Sequence, residues 1–409
     1  MNKRSPELRP PVRLLDRTTP PHIVTLILLA GISALNMSIF LPSLSAMATY
    51  FDTSYATMQL SLSGYLAVTA VLQVGIGPIS DRYGRRPVIL WAMAIFTVAT
   101  VGAMLAPTVE IFLAFRMLQG TVAAAMVLSR AIVRDMVPQE EAASMIGYVT
   151  MGMALVPMVG PMIGGALEQA FGWQSSFVLL TLCGLGVGVL AYLDQGETIQ
   201  GEGLSFAAQL KSYPELLMSP RFWGYVLCAA FASGTFFAFL GGASFVADQV
   251  FGLSPLWAGI ALGAPAIGYA FGNYISGRFS VRVGIDRMIL IGSGILFAGM
   301  GVSLLLGLTG VTSALLFFGF CTFVGVGNGM IMPNATAGML SVRPHLAGTA
   351  SGLGSAILIG GGAALSAYAA HALVAGPGAL PLQVIMFAAS IGTGLSILLV
   401  MWRALRLAA

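Results

Sequence analysis

Residues 77–87 read Gly77-Pro-Ile-Ser-Asp81-Arg82-Tyr-Gly84-Arg85-Arg86-Pro87, with one acid and three arginines inside six residues. Only 8% of the whole chain is charged, so this density is unusual. Long apolar runs flank the stretch, one ending at about Ile79 and the next beginning at about Val88. A helix needs about 20 apolar residues to cross a bilayer. The stretch therefore predicts a short basic loop between two membrane helices.

The composition favours a membrane protein. Hydrophobic residues make up 57% of the 409 residues, whereas soluble proteins average roughly 45–50% apolar and about 25% charged residues. So little charge cannot solvate a globular surface, and most of the surface is expected to face lipid. The net charge of +4 comes from arginines scattered over short loops, so no nucleic-acid partner is expected. The three cysteines show neither pairing nor metal spacing.

Apolar windows predict twelve membrane helices, six on each side of a polar central loop. The first window is too long for a signal peptide and is expected to be retained. The expected domains are a tail at 1–21, a six-helix half at 22–193, a central loop at 194–221 and a second half at 222–409. The spans are expected at 22–44, 57–79, 88–106, 109–132, 143–167, 174–193, 222–247, 256–278, 287–308, 311–338, 348–373 and 383–405.

The basic residues predict the orientation of this bundle. With the N-terminus inside, every Lys and Arg except Arg116 belongs to the tail or to an inner connection. Because cytoplasmic loops are enriched in Lys and Arg, both termini are expected to be cytoplasmic. The loop at 277–287 holds the same place in the second half as 77–87 holds in the first, and both mix arginine with glycine. Two such halves are typical of a large transporter class.

Three motifs, in order along the chain, resemble those of the major facilitator superfamily. The loop between the second and third helices matches at Gly77, Asp81, Arg82, Gly84, Arg85 and Arg86. The fourth helix is similar to that of proton-driven members over Leu113-Ala-Phe-Arg116-Met-Leu-Gln119-Gly120. The fifth helix is similar to the antiporter motif over Gly160-Pro161-Met-Ile-Gly164-Gly165. At Leu41-Pro42-Ser-Leu44 and Arg134-Asp135 the chain resembles one branch of drug:proton antiporters, the bicyclomycin and chloramphenicol-resistance branch.

The resemblance implies an all-α integral membrane protein with twelve transmembrane helices in two pseudo-symmetric six-helix halves. It implies export of small amphipathic drugs or metabolites by alternating access, as antiport against protons. The expected partners are a small-molecule substrate, protons and the lipid bilayer. No enzymatic activity, cofactor or metal is expected, and the protein is expected to be a monomer in the bacterial cytoplasmic (inner) membrane.

The loop at 77–87 and the fifth helix are interpreted as conformational elements. Asp81 and its arginines form a candidate latch, because ion pairs that lose water at a closing interface can bias one of two conformations. The alternative is that the three arginines only fix the orientation of the chain in the membrane, although orientation alone does not require Asp81. Proline and glycine predict a bent helix that acts as a seal or pivot against the other half, at Pro157, Gly160, Pro161, Gly164 and Gly165.

Arg116 falls inside the fourth predicted span. A charge there costs about 2.5–3.5 kcal/mol on insertion scales, and such residues usually face a cavity or a partner. One hypothesis places Arg116, with Gln119 nearby, in the proton pathway or beside an anionic part of the substrate. The alternative is a structural arginine that bonds backbone carbonyls of a broken helix.

One departure concerns proton coupling. Relatives in the drug-resistance branch usually carry an aspartate where this chain has Ser38, and none of the fifteen acids falls near the centre of a span. Proton coupling is thus expected from the resemblance alone, because antiport normally needs an embedded group whose charge changes. The alternative function is a facilitator or exchanger of a small, anionic metabolite without proton coupling.

The predicted substrate cavity is apolar with a few polar points. Met and aromatic walls can repack around different ligands, although simple packing is the alternative for each single residue. The candidate residues are Asn36, Ser38, Tyr65, Met151, Met153, Phe236, Phe237, Phe239, Tyr269, Asn273, Asn328 and Asn334, beside Arg116 and Gln119.

Overall fold

The computed structural model describes residues 12–137, 145, 149, 156, 159–199, 214–343, 346–376 and 378–408. Within these residues the regular secondary structure is entirely helical. The helices are α1 (Ile23–Ser38), α2 (Leu44–Tyr50), α3 (Tyr55–Tyr83), α4 (Arg85–Met104), α5 (Val109–Leu118), α6 (Ala123–Met136), α7 (159–171), α8 (Gln174–Asp194), α9 (Pro220–Phe245), α10 (Pro255–Leu262), α11 (Ala264–Val283), α12 (Ile285–Leu308), α13 (Ala314–Ser341), α14 (Ala347–Ala375) and α15 (Leu380–Ala408).

Ten helical segments of the described residues are long and apolar enough to cross a membrane. They match ten of the predicted spans. The predicted span at 143–167 lies largely outside the described residues, and α7 contains its end. The predicted span at 256–278 is not one unbroken helix, because it divides at Gly263 into α10 and α11. The count of twelve spans and the cytoplasmic position of the termini stay predictions.

The break at Gly263 has a local cause. Pro265 stands in the first turn of α11, where a missing N–H is tolerated. Further into a helix the same proline would remove a backbone hydrogen bond and clash with the preceding turn. The chain therefore ends α10 and begins a new helix with Pro265 at its start.

Two glycines turn the chain in equivalent places of the two halves. Gly84 joins α3 to α4 with φ of +97°, and Gly284 joins α11 to α12 with φ of +90°. L-residues with a side chain rarely adopt this region, so glycine is needed in both turns. The loops at 77–87 and 277–287 thus share a backbone conformation as well as a composition.

Close helix packing in the second half depends on glycine. A Cβ on Gly268 of α11 would lie 2.0 Å from the carbonyl oxygen of Thr322 in α13. A Cβ on Gly325 of α13 would lie 1.6 Å from the carbonyl oxygen of Pro265. The backbones of α11 and α13 are therefore in direct contact, as small residues permit between membrane helices. This contact fixes the wall of the second half that carries Tyr269 and Asn273.

Candidate functional site

Arg116, near the end of α5, is completely buried. Its Nε–H donates to the carbonyl oxygen of Ser61 in α3 at 3.0 Å, and Nη2 donates to the carbonyl oxygen of Asn36 in α1 at 2.8 Å. Nη1 donates to the side-chain oxygens of Asn36 at 2.7 Å and Gln119 at 2.6 Å. Four of the five guanidinium N–H groups are thus engaged.

Aromatic faces complete the surroundings of this charge. The Arg116 guanidinium carbon lies 4.3 Å from the ring centroid of Phe40 and 4.5 Å from that of Tyr65. No carboxylate lies within 4 Å of Arg116 in the part of the chain that the structure describes. Neutral oxygens and ring faces therefore compensate the cost of burying the cation.

The Arg116 cluster joins four helices of the first half. Gln119, which accepts from Arg116, donates through its amide to the hydroxyl of Thr100 in α4 at 2.7 Å. The regular α5 helix ends at Leu118 and gives way to a 3-10 turn over Gln119–Val122. These contacts match the alternative hypothesis, an arginine that bonds backbone carbonyls beside a helix break. A role in proton or substrate binding stays a prediction.

The other predicted cavity residues divide by exposure. Met151 and Met153 lie outside the described residues. Partial exposure is found at Phe236, Phe237, Tyr269 and Asn273. Burial between helices is found at Asn36, Ser38, Tyr65, Phe239, Asn328 and Asn334. In this conformation the buried group does not line an open cavity.

Ser38 and Asn334, two of the buried residues, are held by contacts with neighbouring helices. Ser38 Oγ donates to the Ala34 carbonyl at 3.1 Å and lies 2.6 Å from where a Cβ on Gly160 would stand. Asn334 donates to Ser276 Oγ and to the Met330 carbonyl, both at 2.8 Å. Ser38 thus packs against α7, and Asn334 fastens α13 to α11.

Arg130 is a residue whose position the sequence did not reveal. It lies within α6 rather than in the loop that follows, and it is partly buried. Arg130 and Tyr269 of α11, in the other half, lie close enough to interact electrostatically. In the described residues no carboxylate lies within 4 Å of Arg130. Arg130 is therefore a partly buried cation near the other half, without a carboxylate partner in the described residues.

The two halves touch at the end of the bundle that carries the α7 glycines, here called the outer end after the orientation predicted from the sequence. A Cβ on Gly165 of α7 would lie 2.2 Å from the carbonyl oxygen of Pro255, at the start of α10. A Cβ on Gly259 of α10 would lie 2.2 Å from the carbonyl oxygen of Pro161. The contact is reciprocal, and in both directions only glycine fits.

Neighbouring contacts extend this outer seal. The Tyr55 hydroxyl donates to the Gly241 carbonyl at 3.4 Å, and the Tyr55 ring lies 5.1 Å from that of Phe245. On the other side of α7, a Cβ on Gly164 would lie 1.7 Å from the carbonyl oxygen of Ile39. Pro157, predicted as part of the same bend, lies outside the described residues.

The loop at 77–87 forms its ion pairs within the first half. Arg85 lies 2.5 Å from Asp81 and 3.1 Å from Asp135 at the end of α6, and it donates to Ser80 Oγ. Arg82 is exposed with its guanidinium over the Tyr83 ring. Arg86 donates to the carbonyl oxygen of Tyr192 at 3.1 Å. The candidate latch is thus centred on Arg85.

Two acids after the sixth predicted span have structural partners that were not predicted; Glu197 binds this loop, and Asp194 binds the chain before α1. Glu197 accepts from the backbone N–H groups of Arg85 at 2.9 Å and Arg86 at 3.2 Å, which caps the start of α4. Buried Asp194 accepts from the backbone of Leu15 at 2.7 Å and His22 at 2.8 Å. The sequence did show that both acids lie beside the end of a membrane helix. Their partners are distant in sequence, so the spacing of residues could not identify them.

The chain was compared with known proteins. The model of the family described as Major Facilitator Superfamily matches residues 26–367. The chain belongs to this superfamily. It is 31% identical to a chloramphenicol resistance protein of Pseudomonas aeruginosa, over 78% of this chain and 76% of that protein. It is 28% identical to a bicyclomycin resistance protein homolog of Haemophilus influenzae, over 87% of this chain and 90% of that protein.

A solved structure has the same fold. The bacterial homolog to the human lysosomal transporter Spinster, in an inward-facing and occupied conformation, aligns with a TM-score of 0.70 at 18% identity. The alignment covers 93% of this chain and 96% of that structure. The predicted resemblance to the superfamily and its drug:proton antiporters is confirmed, and the chain is a multi-pass membrane transporter rather than an enzyme.

Proposed function

We propose that this transporter exports small amphipathic molecules, drugs or metabolites, by alternating access in exchange for protons. The resistance proteins among its relatives support drugs as substrates. The bacterial cytoplasmic membrane is the proposed location, with both termini on the cytoplasmic side and a monomer as the working unit. Twelve spans in two halves provide the two rigid bodies that alternating access needs.

The observation that carries the proposal is the reciprocal outer seal, in which Gly165 lies against Pro255 and Gly259 against Pro161. Backbone contact through two glycines brings the halves together at the outer end. At the opposite end, the side-chain contacts of Arg85 and Asp286 stay within their own halves, and a Cβ on Gly77 or Gly277 would meet nothing within 4 Å. Tight contact at one end and open space at these matched positions of the other suit a state that accepts substrate from the cytoplasm.

Partly exposed residues between the halves supply a substrate wall. Phe236 and Phe237 of α9 have ring centroids 5.9 Å apart. Asn273 of α11 donates to the Tyr269 carbonyl at 2.9 Å, so its side-chain oxygen remains available as an acceptor. Aromatic surface with few polar points suits amphipathic molecules of varied shape.

A second candidate function is uncoupled transport of an anionic metabolite, which the charge of Arg130 favours. Arg116 is a poor partner for such a substrate, because four of its N–H groups are already engaged. Arg130 is partly buried in α6 and has no carboxylate within 4 Å in the described residues. An anionic group would therefore bind at Arg130.

Transport into liposomes separates the two functions. For proton antiport, an acidic lumen should drive accumulation of chloramphenicol, and nigericin should abolish it by collapsing the gradient. Equal uptake with and without the gradient would show that proton antiport is wrong. In that case Arg130→Gln should abolish uptake of an anionic substrate, with Arg403→Gln, at an exposed arginine of α15, as the control of equal charge change.

A further inference from the structure

A shallow groove of about 380 Å³ lies on the surface of α4. Arg86, Pro87, Leu90 and Trp91 line it, and we call it the Arg86 groove. The Trp91 side chain is 70% exposed, and Tyr192 of α8, beside Arg86, is 50% exposed. Trp91 and Tyr192 lie outside the transport path described above, so transport does not explain their exposure.

Arg86 differs from its neighbour Arg85 in how its N–H groups are used. Arg85 is engaged by Asp81, Asp135 and Ser80. Arg86 makes one side-chain hydrogen bond, from Nη2 to the Tyr192 carbonyl, and its guanidinium carbon lies 5.4 Å from the Tyr192 ring centroid. Its Nε is buried without a hydrogen-bond partner. In the described residues, no carboxylate lies within 4 Å of this guanidinium.

Glu197, the acid bound to the backbone of Arg86, does not neutralise the Arg86 guanidinium. Glu197 accepts from the backbone N–H groups of Arg85, Arg86, Thr198 and Ile199. Its oxygens are thus directed at the start of α4 rather than at the guanidinium. Three N–H groups of Arg86, two on Nη1 and one on Nη2, remain for an external acceptor.

The depth of the groove matches the boundary of a bilayer. Trp91 lies five residues after Arg86 on α4, about 7.5 Å further along the helix axis. Trp and Tyr concentrate at the boundary between headgroups and acyl chains. Arginine extends its charge to the headgroup level while its stem covers apolar surface. The guanidinium then stands at phosphate height, with Pro87, Leu90 and Trp91 beside the first part of an acyl chain.

We propose that the Arg86 groove binds an acidic phospholipid from the leaflet on the N-terminal side of the membrane. The lipid phosphate accepts hydrogen bonds from Arg86, in the forked geometry that guanidinium offers to phosphate. One acyl chain lies along Leu90 and the face of Trp91. The bound headgroup stands next to the Arg85 network and thereby adds a lipid to the surroundings of the candidate latch.

Native mass spectrometry of the full-length protein in detergent tests the site. Phosphatidylglycerol should bind more tightly than phosphatidylcholine. Arg86→Gln should weaken the binding of the first phosphatidylglycerol molecule about five-fold. Arg82→Gln is the matched control, because it removes the same charge from the same loop, and it should leave this affinity within about two-fold. Equal loss in both variants would replace the site with diffuse attraction to basic residues and overturn the proposal.

A second arm separates a lipid from a free anion. Inorganic phosphate at millimolar concentration should not displace phosphatidylglycerol; displacement that depends on Arg86 would assign the groove to soluble phosphate instead.

Fluorescence supplies a measurement that needs no Arg86 variant. Brominated phosphatidylglycerol should quench the wild-type protein more than brominated phosphatidylcholine at equal mole fraction. Trp91→Phe should remove that difference, because the remaining tryptophans lie outside the groove. Equal quenching by the two lipids in the wild type contradicts the proposal.

Discussion

Arg116 makes hydrogen bonds to oxygens from α1, α3 and the turn after α5. Replacement by alanine leaves those buried oxygens without a donor and removes one of the largest fully buried side chains. We expect Arg116→Ala to lower the free energy of unfolding by about 3 kcal/mol or more, since each buried acceptor left without a donor costs about 1–3 kcal/mol. Thermal unfolding of the purified protein measures this loss.

The comparison with lysine separates stability from transport at the same residue. Arg116→Lys retains the charge but cannot make the forked set of bonds, so it should recover only part of the lost stability. Arg82→Gln, at an exposed arginine, should leave the unfolding temperature almost unchanged. If Arg116→Ala unfolds like the wild type and yet fails to transport, Arg116 acts directly on protons or substrate.

Arg85 shares its guanidinium between two acids, Asp81 and Asp135. Because either acid can hold Arg85 when the other is neutralised, Asp81→Asn and Asp135→Asn should each slow turnover only a few-fold. The double variant should lose more than the two single losses combined, as residues of one network do. Initial rates over a range of substrate concentrations give kcat and KM separately.

The latch hypothesis requires the loss to fall on kcat. If both single variants raise KM and leave kcat unchanged, the network shapes substrate binding instead. Asp52, an acid outside this network, offers the control Asp52→Asn, for which both constants should match the wild type.

Helices α7 and α10 close the outer end through backbone contact at Gly165 and Gly259. A single methyl group at either position would overlap a carbonyl oxygen of the other half, so we expect Gly165→Ala and Gly259→Ala to hold the outer end apart. Transport should fall at least about ten-fold, since the loss of roughly 1.4 kcal/mol in the closed state already changes its population that much.

Labelling reports the state of the seal. Gln59→Cys, in a background without the three native cysteines, places a thiol at a site that is 1% exposed between α3 and α14. An impermeant maleimide added outside should label it faster in Gly165→Ala than in the parent. Gly186→Ala is the control, because a Cβ there meets nothing within 4 Å. Unchanged labelling and normal transport would show that the seal tolerates a side chain.

For the whole molecule, the sequence predicted the family and the order of its helices well. The reason is that hydrophobic length and the placement of arginines are read directly along the chain, as at 77–87 and its counterpart at 277–287. Gly263 and Pro265 are a sequence signal for the helix break at Gly263. The spans were predicted from hydrophobicity averaged over a window, and such an average does not show a break.

The side of each helix was harder to predict. Ser38, Tyr65 and Phe239 were expected at the substrate cavity and are buried between helices. In a membrane helix both the lipid face and the packed face are apolar, so hydrophobicity does not tell them apart. Partners such as Glu197 and Arg85 lie 112 positions apart, and no local pattern connects them.

The buried charge of Arg116 has a consequence for energetics across the membrane. Since no carboxylate lies within 4 Å of it in the described residues, the first half carries a fixed positive charge into the low-dielectric layer. A full crossing of one charge is worth about 2.3 kcal/mol per 100 mV. Any movement of Arg116 along the membrane normal while the halves rock therefore does electrical work, and the resting potential itself biases which face of the transporter is open.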